Sequence, residues 1–255
     1  MSSVPTLIFI AGSWHQGKCF ERFTYPLQAD YDLTCKALTL PSAQASQNQI
    51  IAHSFDGMVG NSAIKGLTKA PNSSPKGQPE RSLVIGLILI ASGFILTGLT
   101  FMAPFFDQPP PSWRINRATS FADLAQAPLE RFYHDLEASD AEYWVSQLGC
   151  QSLKALFEGG EIAYAGWRDL DQVWYLRTVE DMGLPVWAQR VQVGMARAMM
   201  RGKVVHRELR SSHSPFLSLP RECVGLVVEA VEVFMGEKLT TKGEIEKKWL
   251  QGRHG

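Results

Sequence analysis

The stretch Ile50-Ile-Ala-His-Ser-Phe-Asp-Gly57 decides the fold, because a short apolar run leads directly into a serine at a turn. Residues 49–53 have the apolar character of a buried strand, and residues 58–67 have the spacing of a helix. A serine on a sharp turn between strand and helix holds its hydroxyl clear of the sheet and places the next backbone N–H at the start of the helix. Ser54 is therefore a candidate nucleophile, and the Phe55 N–H is a candidate oxyanion donor.

The turn departs from the G-x-S-x-G pattern of such serines at two positions. Ala52 stands two residues before Ser54, which is a mild change. Asp56 stands two residues after Ser54 and adds a Cβ and a charge where the pattern has glycine for close packing. The pattern alone also fits a serine without a chemical role, so the case for Ser54 depends on the rest of the chain.

The remainder of the chain alternates apolar strands with helices. Strands are predicted at residues 4–10, 31–40, 49–53, 83–91, 173–177 and 203–209, and helices at residues 19–28, 58–67, 185–200 and 215–234. This alternation predicts a single α/β domain over residues 1–255 with a mostly parallel, doubly wound sheet. Residues 120–168 are aromatic and helical in spacing, so residues 107–170 are predicted to form a helical lid inserted between strands. Residues 236–255 are predicted to be a charged tail.

Composition limits the classes of partner and compartment. The 255 residues contain 25 Lys and Arg and 25 Asp and Glu, which gives a formal net charge of +0. The chain therefore lacks the excess of basic residues that is typical of nucleic-acid-binding proteins. The four cysteines are far apart and show neither a disulfide framework nor a zinc-binding spacing. We expect a cytoplasmic protein, because the first residues lack a secretory signal and the last three are not an S-K-L address. No pattern indicates an oligomeric state.

One segment has a second interpretation as a membrane span. Residues 83–106 run for 24 positions without a charge, which is long enough for a transmembrane helix. The first part is rich in Ile, Leu and Val, and Gly86, Gly93 and Gly98 interrupt a helical pattern. These features favour a strand buried on both faces of a parallel sheet, followed by an apolar loop. A single-span membrane protein is the alternative.

Two later segments strengthen the case for Ser54. Asp181 follows the strand predicted at residues 173–177, and His213 lies in the loop after the last predicted strand. Ligands gather at the carboxyl edge of open α/β sheets, where both loops would emerge. The chain order Ser54, Asp181, His213 is that of α/β-hydrolase triads. In such a triad His213 would accept the Ser54 proton and return it to the leaving group, while Asp181 would fix the histidine tautomer.

Five stretches carry a resemblance to a known family: residues 6–15, 53–66, 132–167, 175–185 and 213–220. On these residues the chain resembles the α/β-hydrolase superfamily, and within it the small cofactor-free group of plant methyl-salicylate esterases and hydroxynitrile lyases. The resemblance implies a second oxyanion N–H at Ser13, after Gly12, and an acid at Asp181 rather than Glu180. It implies no cofactor and no metal. Fungal relatives of this type often belong to secondary-metabolite gene clusters, including those for host-selective toxins.

The chain also departs from that family between the second and third strands. Pro41 is followed by only seven residues, 42–48, before the next predicted strand, whereas a parallel crossover usually needs a dozen or more. The family has a helix at this point, so a helix is predicted to be missing. A lost exon, a decayed gene copy, or another helix or partner covering the gap each accounts for this.

Together these observations predict a serine hydrolase, a carboxylesterase or thioesterase, that acts on a small apolar ester or thioester. The first alternative is a cofactor-free lyase with the same triad, although Ser214 stands where such lyases have a lysine. The second alternative is a degenerate, inactive hydrolase retained for binding, which Asp56 and the missing helix suggest. The predicted partner in the main hypothesis is a small molecule, with neither nucleic acid nor a membrane span involved.

Overall fold

The computed structural model describes residues 5–38, 48–68 and 83–241. The strands are β1 Thr6–Ile10, β2 Thr34–Leu38, β3 Asn48–His53, β4 Val84–Ile90, β5 Trp113–Asn116, β6 Phe121–Leu124, β7 Gln151–Ser152, β8 Val173–Thr178 and β9 Val204–Leu209. The helices are α1 Glu21–Tyr31, α2 Gly57–Ala63, α3 Pro128–Phe132, α4 Ala138–Ser146, α5 Leu153–Phe157, α6 Val186–Met199, α7 Pro215–Ser218 and α8 Pro220–Met235. Short 3₁₀ turns join several of these elements.

The main sheet has six strands in the order β2-β1-β3-β4-β8-β9, and every neighbouring pair is parallel. Helices α1 and α8 pack on one face, where Phe23 and Val227 are fully buried. Ile64, directly after helix α2, and Val193 of helix α6 belong to the apolar layer on the other face. The prediction of a mostly parallel, doubly wound α/β sheet is confirmed.

The long uncharged segment forms a central strand and a loop. Strand β4 lies between β3 and β8, and six of its seven residues are buried. Gly86 in this strand lies against Phe234 of α8, since a Cβ there would stand 2.2 Å from the phenyl ring. A strand covered on both faces explains the near-continuous apolar run. Nowhere in the described part of the chain is a helix long and apolar enough to cross a membrane.

The connection between the second and third strands falls on residues 39–47, which lie outside the described residues. Strand β1 pairs with both β2 and β3, so these two strands flank the first one. Ile8 and Lys36 share one sheet face, and their side chains are respectively half-buried and exposed. The elements described here therefore cover this corner of the sheet only in part.

The insertion, residues 107–170, differs from the prediction of a purely helical lid. Strands β5, β6 and β7 form a separate antiparallel sheet, and helices α3, α4 and α5 lie around it. The helical prediction is wrong at residues 121–124, where exposed and buried side chains alternate with the period of a strand. Pro128 then begins a new helix, since proline is tolerated at the first helical position.

Several boundaries also differ from the sequence prediction. Residues 31–33 do not belong to the second strand, because α1 extends to Tyr31 and ends at Asp32 in a left-handed conformation. The last predicted helix is divided into α7 and α8 at Pro220, which has no N–H to continue the first segment. Helix α8 ends at Gly236 with φ 72°, and the predicted tail beyond residue 241 lies outside the described residues.

Candidate active site

Ser54 occupies a sharp turn between β3 and α2. Its φ is 54°, a left-handed conformation that is uncommon and strained for a residue other than glycine. Two glycines allow the turn to pack closely. A Cβ on Gly12 would lie 2.6 Å from the Ser54 Cβ, and a Cβ on Gly57 would lie 2.0 Å from Ser92 Oγ. The Ser92 hydroxyl in turn donates a 2.5 Å hydrogen bond to the Ser54 carbonyl.

Asp56 does not occupy the position that requires glycine. Its backbone is right-handed, with φ −73° and ψ 0°, and the close approach predicted two residues after Ser54 occurs one residue later, at Gly57. The Asp56 side chain is only 3% exposed. Burial raises the pKa of its carboxyl to about 8. The side chain is therefore predominantly protonated at neutral pH and brings little negative charge to the turn.

The structure brings Ser54, His213 and Asp181 together at the carboxyl edge of the main sheet. His213 Nε2 lies 2.9 Å from Ser54 Oγ, and His213 Nδ1 lies 2.9 Å from each Asp181 carboxylate oxygen. His213 and Asp181 are 2% and 5% exposed, while Ser54 is half-buried. Because the carboxylate accepts from Nδ1–H, Nε2 is left to accept the serine proton. This arrangement can activate a hydroxyl as a nucleophile.

Four donors besides His213 hold the Asp181 carboxylate, two in the loop after β8, called the acid loop here, one at the end of β8 and one on α6. The Gly183 and Leu184 N–H groups each donate to Oδ1 over 2.7 Å. Thr178 Oγ1 donates to Oδ2 over 2.6 Å, and Gln189 Nε2 donates to it over 3.1 Å. These donors therefore hold the carboxylate in one orientation towards the histidine.

Sequence reasoning missed Thr178 and Gln189. Gln189 is fully buried on α6, where it also bonds the Thr178 N–H and the Thr178 and Leu184 carbonyls. A glutamine on the buried face of an amphipathic helix was the available indication. Glu180 by contrast points outward and pairs with Arg210 at 2.6 Å.

Gly183 gives the acid loop its close approach to the histidine ring. A Cβ on Gly183 would stand 2.7 Å from Cγ of His213, and 2.8 Å from Nδ1. Such a contact is shorter than any normal van der Waals separation. Glycine at this position therefore allows the loop backbone and the imidazole to stack directly.

The loop after β1 supplies the other predicted oxyanion residue. Ser13 follows Gly12, and its carbonyl accepts a 2.7 Å hydrogen bond from His15 Nδ1. Among the described residues, none accepts a hydrogen bond from the Ser13 N–H. Gly12 contacts Ser54, so the Ser13 and Phe55 backbones belong to the same corner of the site. Free N–H groups in such a corner can stabilise an oxyanion.

Trp14 connects this loop to the insertion. Its φ is 64°, again left-handed. Its carbonyl accepts a 2.6 Å hydrogen bond from the Gly149 N–H, and its indole N–H donates to the Ala122 carbonyl over 3.3 Å. The insertion thus holds a strained residue directly beside the candidate oxyanion donor Ser13.

Two further histidines, not predicted as site residues, surround His213. His53 precedes Ser54, and His15 follows Trp14. Their rings lie 4.7 Å and 6.5 Å from that of His213. Burial lowers the pKa of His15 to about 4 and that of His53 well below its ordinary value. Both rings are therefore neutral at neutral pH, and the described residues contain no group of three side chains placed to hold a metal ion.

The side chains that continue from Ser54 into the insertion are apolar. Phe55 contacts Phe101 with ring centroids 5.0 Å apart. Phe55 also belongs to a buried cluster whose other buried members are Met58, Met102, Trp113, Ala122, Leu156 and Ala163. None of these side chains carries a charge, so the residue after the nucleophile stands at the start of an apolar cluster that extends into the insertion.

Comparisons with known proteins agree with this architecture. A family model described as the alpha/beta hydrolase family matches residues 7–226. The chain is similar to the alpha/beta hydrolase nvfD of Aspergillus novofumigatus, with 25% identity over 210 residues, 82% of this chain and 78% of that protein.

Solved structures with a similar fold include a hydrolase and an esterase. A pyrethroid hydrolase from Sphingobium faniae superposes with a TM-score of 0.62 at 17% identity, covering 90% of this chain and 98% of that one. Polyneuridine aldehyde esterase superposes with a TM-score of 0.66 at 13% identity, covering 89% and 99%. At these identities the likeness shows the shared fold alone.

Proposed function

The chain belongs to the alpha/beta hydrolase family, and from this premise we propose that it is a serine carboxylesterase using Ser54, His213 and Asp181. The observation that carries the proposal is the unbroken hydrogen-bond series from Ser54 Oγ through the His213 ring to Asp181, with each contact at 2.9 Å. A nucleophile, a base and an orienting acid in this series are the components of acyl transfer through a covalent intermediate.

The reaction proceeds in two halves. Ser54 Oγ attacks the ester carbonyl carbon while His213 Nε2 takes the hydroxyl proton. The Ser13 and Phe55 N–H groups stabilise the oxyanion of the tetrahedral intermediate. His213 then gives its proton to the leaving alcohol, and an acyl-enzyme ester on Ser54 remains. Water, deprotonated by His213, attacks this ester, and His213 returns the proton to Ser54 Oγ as the acyl C–O bond breaks and the carboxylic acid leaves. Asp181 holds the imidazole in one orientation throughout.

The substrate we propose is a small, uncharged, apolar ester. The apolar cluster beside Phe55 supports this class, because a charged group would lose its hydration there without a partner. The structural relatives are named a pyrethroid hydrolase and an esterase, which favours an oxygen ester over a thioester. We further propose a cytoplasmic role in secondary metabolism, such as toxin biosynthesis, on the resemblance to fungal members of the family.

The lyase alternative is less well supported by the residues around His213. Ser214 follows the histidine, and its hydroxyl lies 3.5 Å from His15 Nε2. A serine at this position offers no cation to compensate a leaving anion. The hydrolase therefore remains the proposal, with an inactive homologue as the outcome that the following experiment tests.

The test combines a fluorophosphonate probe with turnover of p-nitrophenyl butyrate. The wild type is compared with Ser54→Ala and with Ser146→Ala, a control serine that is exposed on α4. We expect labelling and turnover in the wild type and in Ser146→Ala, and neither in Ser54→Ala. A folded wild type that is neither labelled nor active would overturn the proposal in favour of a degenerate hydrolase. Turnover that survives in Ser54→Ala would reject Ser54 as the nucleophile.

A further inference from the structure

Residues 131–135 of the insertion, with the sequence Arg-Phe-Tyr-His-Asp, contact both loops that flank the nucleophile. We propose that this 131–135 segment positions the catalytic histidine and acid, with Asp135 as its principal positioning residue. The inference rests on the proposed function, because it concerns the geometry of the Ser54, His213 and Asp181 series.

The first contact is with the loop after β9, called the histidine loop here. Ser212, immediately before His213, is fully buried and donates its backbone N–H to Asp135 Oδ2 over 2.8 Å. The Ser212 hydroxyl donates to the Phe132 carbonyl over 2.8 Å. Both donors of the residue that precedes the base are thus bound by a single segment, and this fixes the backbone from which the His213 side chain extends.

The second contact is with the acid loop. Arg131 is 7% exposed, and its Nη2 donates to the Gly183 carbonyl over 3.0 Å. The Gly183 N–H donates to Asp181 Oδ1 over 2.7 Å. Arg131 forms no ion pair with any described residue, so its principal polar contacts are this carbonyl and Gln126 at 3.4 Å. The guanidinium therefore holds the turn that orients the acid.

The third contact is directly with the imidazole. The Phe132 ring lies 5.5 Å from that of His213 at an interplanar angle of 38°. One short segment consequently fixes the histidine loop, the acid loop and one face of the histidine ring. Because misplacing catalytic groups by about 1 Å reduces turnover by roughly 100-fold, such a segment acts on the rate of the chemical step.

Only one of the two Asp135 carboxyl oxygens takes part in the contact with the histidine loop. Asp135 Oδ1 is buried without a hydrogen-bond partner among the described residues, although Oδ2 is bound. An amide at this position would keep an oxygen for the Ser212 N–H. The substitution Asp135→Asn therefore separates the hydrogen bond from the charge.

The experiment measures kcat and KM per active site, with active sites counted by fluorophosphonate titration. We expect Asp135→Ala to lower kcat by roughly 10- to 100-fold with KM changed by less than about threefold. Asp135→Asn should retain kcat within about threefold, because its amide oxygen still accepts from Ser212. The matched control is Asp140→Ala, which removes another contact of the insertion, the 2.8 Å pair with Arg22 on α1, without touching either loop.

Two results would overturn the inference. One is an Asp135→Ala protein with wild-type kcat per titrated site, and the other is an equal loss in Asp135→Ala and Asp140→Ala. If Asp135→Ala does not fold, Ser212→Ala takes its place, since it removes the hydroxyl's 2.8 Å hydrogen bond to Phe132 together with the long, 3.5 Å contact from the Ser214 N–H. We expect a several-fold loss of kcat there, and an unchanged kcat rejects the inference. Turnover that does not depend on Ser54 would instead reject the proposed function.

Discussion

His53 donates a 3.0 Å hydrogen bond from Nε2 to the backbone carbonyl of His213. The residue before Ser54 therefore holds the backbone of the histidine that faces Ser54. His53 is fully buried, and its Nδ1 has no partner among the described residues. Because the carbonyl can only accept, the proton of the neutral ring resides on Nε2. The nucleophile turn and the histidine loop are therefore joined by the ring of one residue as well as by the Ser54–His213 contact.

Replacement of His53 by leucine tests this connection. The change leaves a buried carbonyl without its donor, which costs about 1–3 kcal/mol of folding free energy. We expect His53→Leu to lose roughly that amount in urea unfolding and to lower kcat about tenfold. His53→Gln keeps an N–H donor and serves as the control. A leucine variant with wild-type stability and kcat would show that the hydrogen bond has no role.

Gly183→Ala is expected to displace the His213 ring. The new Cβ would begin 2.7 Å from Cγ of the imidazole, and the 2.9 Å contact with Ser54 Oγ would open as the ring moves. We expect kcat with p-nitrophenyl butyrate to fall roughly 100-fold. Gly194→Ala is the control, since nothing lies within 4 Å of a Cβ there and alanine favours a helix by up to about 1 kcal/mol. Equal activity in the two variants would contradict the argument.

Gln189→Leu is expected to loosen the acid loop. It removes a donor to Asp181 and leaves the Thr178 N–H and the Leu184 carbonyl without their side-chain partner. At about 1–3 kcal/mol for a buried polar group left unpaired, the free energy of unfolding should fall by at least about 2 kcal/mol. The kcat should fall with it, as the carboxylate loses its anchor. Arg190→Gln, at the exposed neighbouring position on α6, should change neither quantity.

Asp56 makes stability depend on pH. Its folded-state pKa of about 8 lies above the ordinary value of 3.8, so the native state keeps a proton that the unfolded chain releases. The resulting stabilisation is complete below about pH 4 and is lost as the pH rises to about 8, by at most about 1.4 kcal/mol per pH unit. Asp56→Asn removes this titration. Urea unfolding at pH 5, 6.5 and 8 should therefore give a smaller decline in the variant, and identical declines would refute the assignment.

The loops of the site follow from general rules about parallel sheets. The polar residues Ser54, Asp181 and His213 come soon after the strands β3, β8 and β9 in the chain. Because the carboxyl ends of parallel strands share an edge, these residues are predictable as neighbours. The supporting contacts are not predictable, since those of Gln189 and Asp135 depend on how α6 and the insertion pack in three dimensions.

Short elements account for most of the errors in the predicted fold. Strands β6 and β7 have four and two residues, too few for their alternation to stand out from the surrounding helical spacing. The G-x-S-x-G pattern predicts the glycine of the nucleophile turn at position 56, two residues after Ser54. Only backbone geometry shows that position 57 is the one that requires it.

The bonds of Trp14 to Gly149 and Ala122 have a consequence for protein engineering. Exchanging residues 107–170 for the corresponding part of a relative, as a route to new substrate preference, would remove the partners of a left-handed tryptophan next to Ser13. The loop after β1 and the insertion therefore form one transplantable module. A chimera designed to recognise another ester should carry both pieces from the same parent.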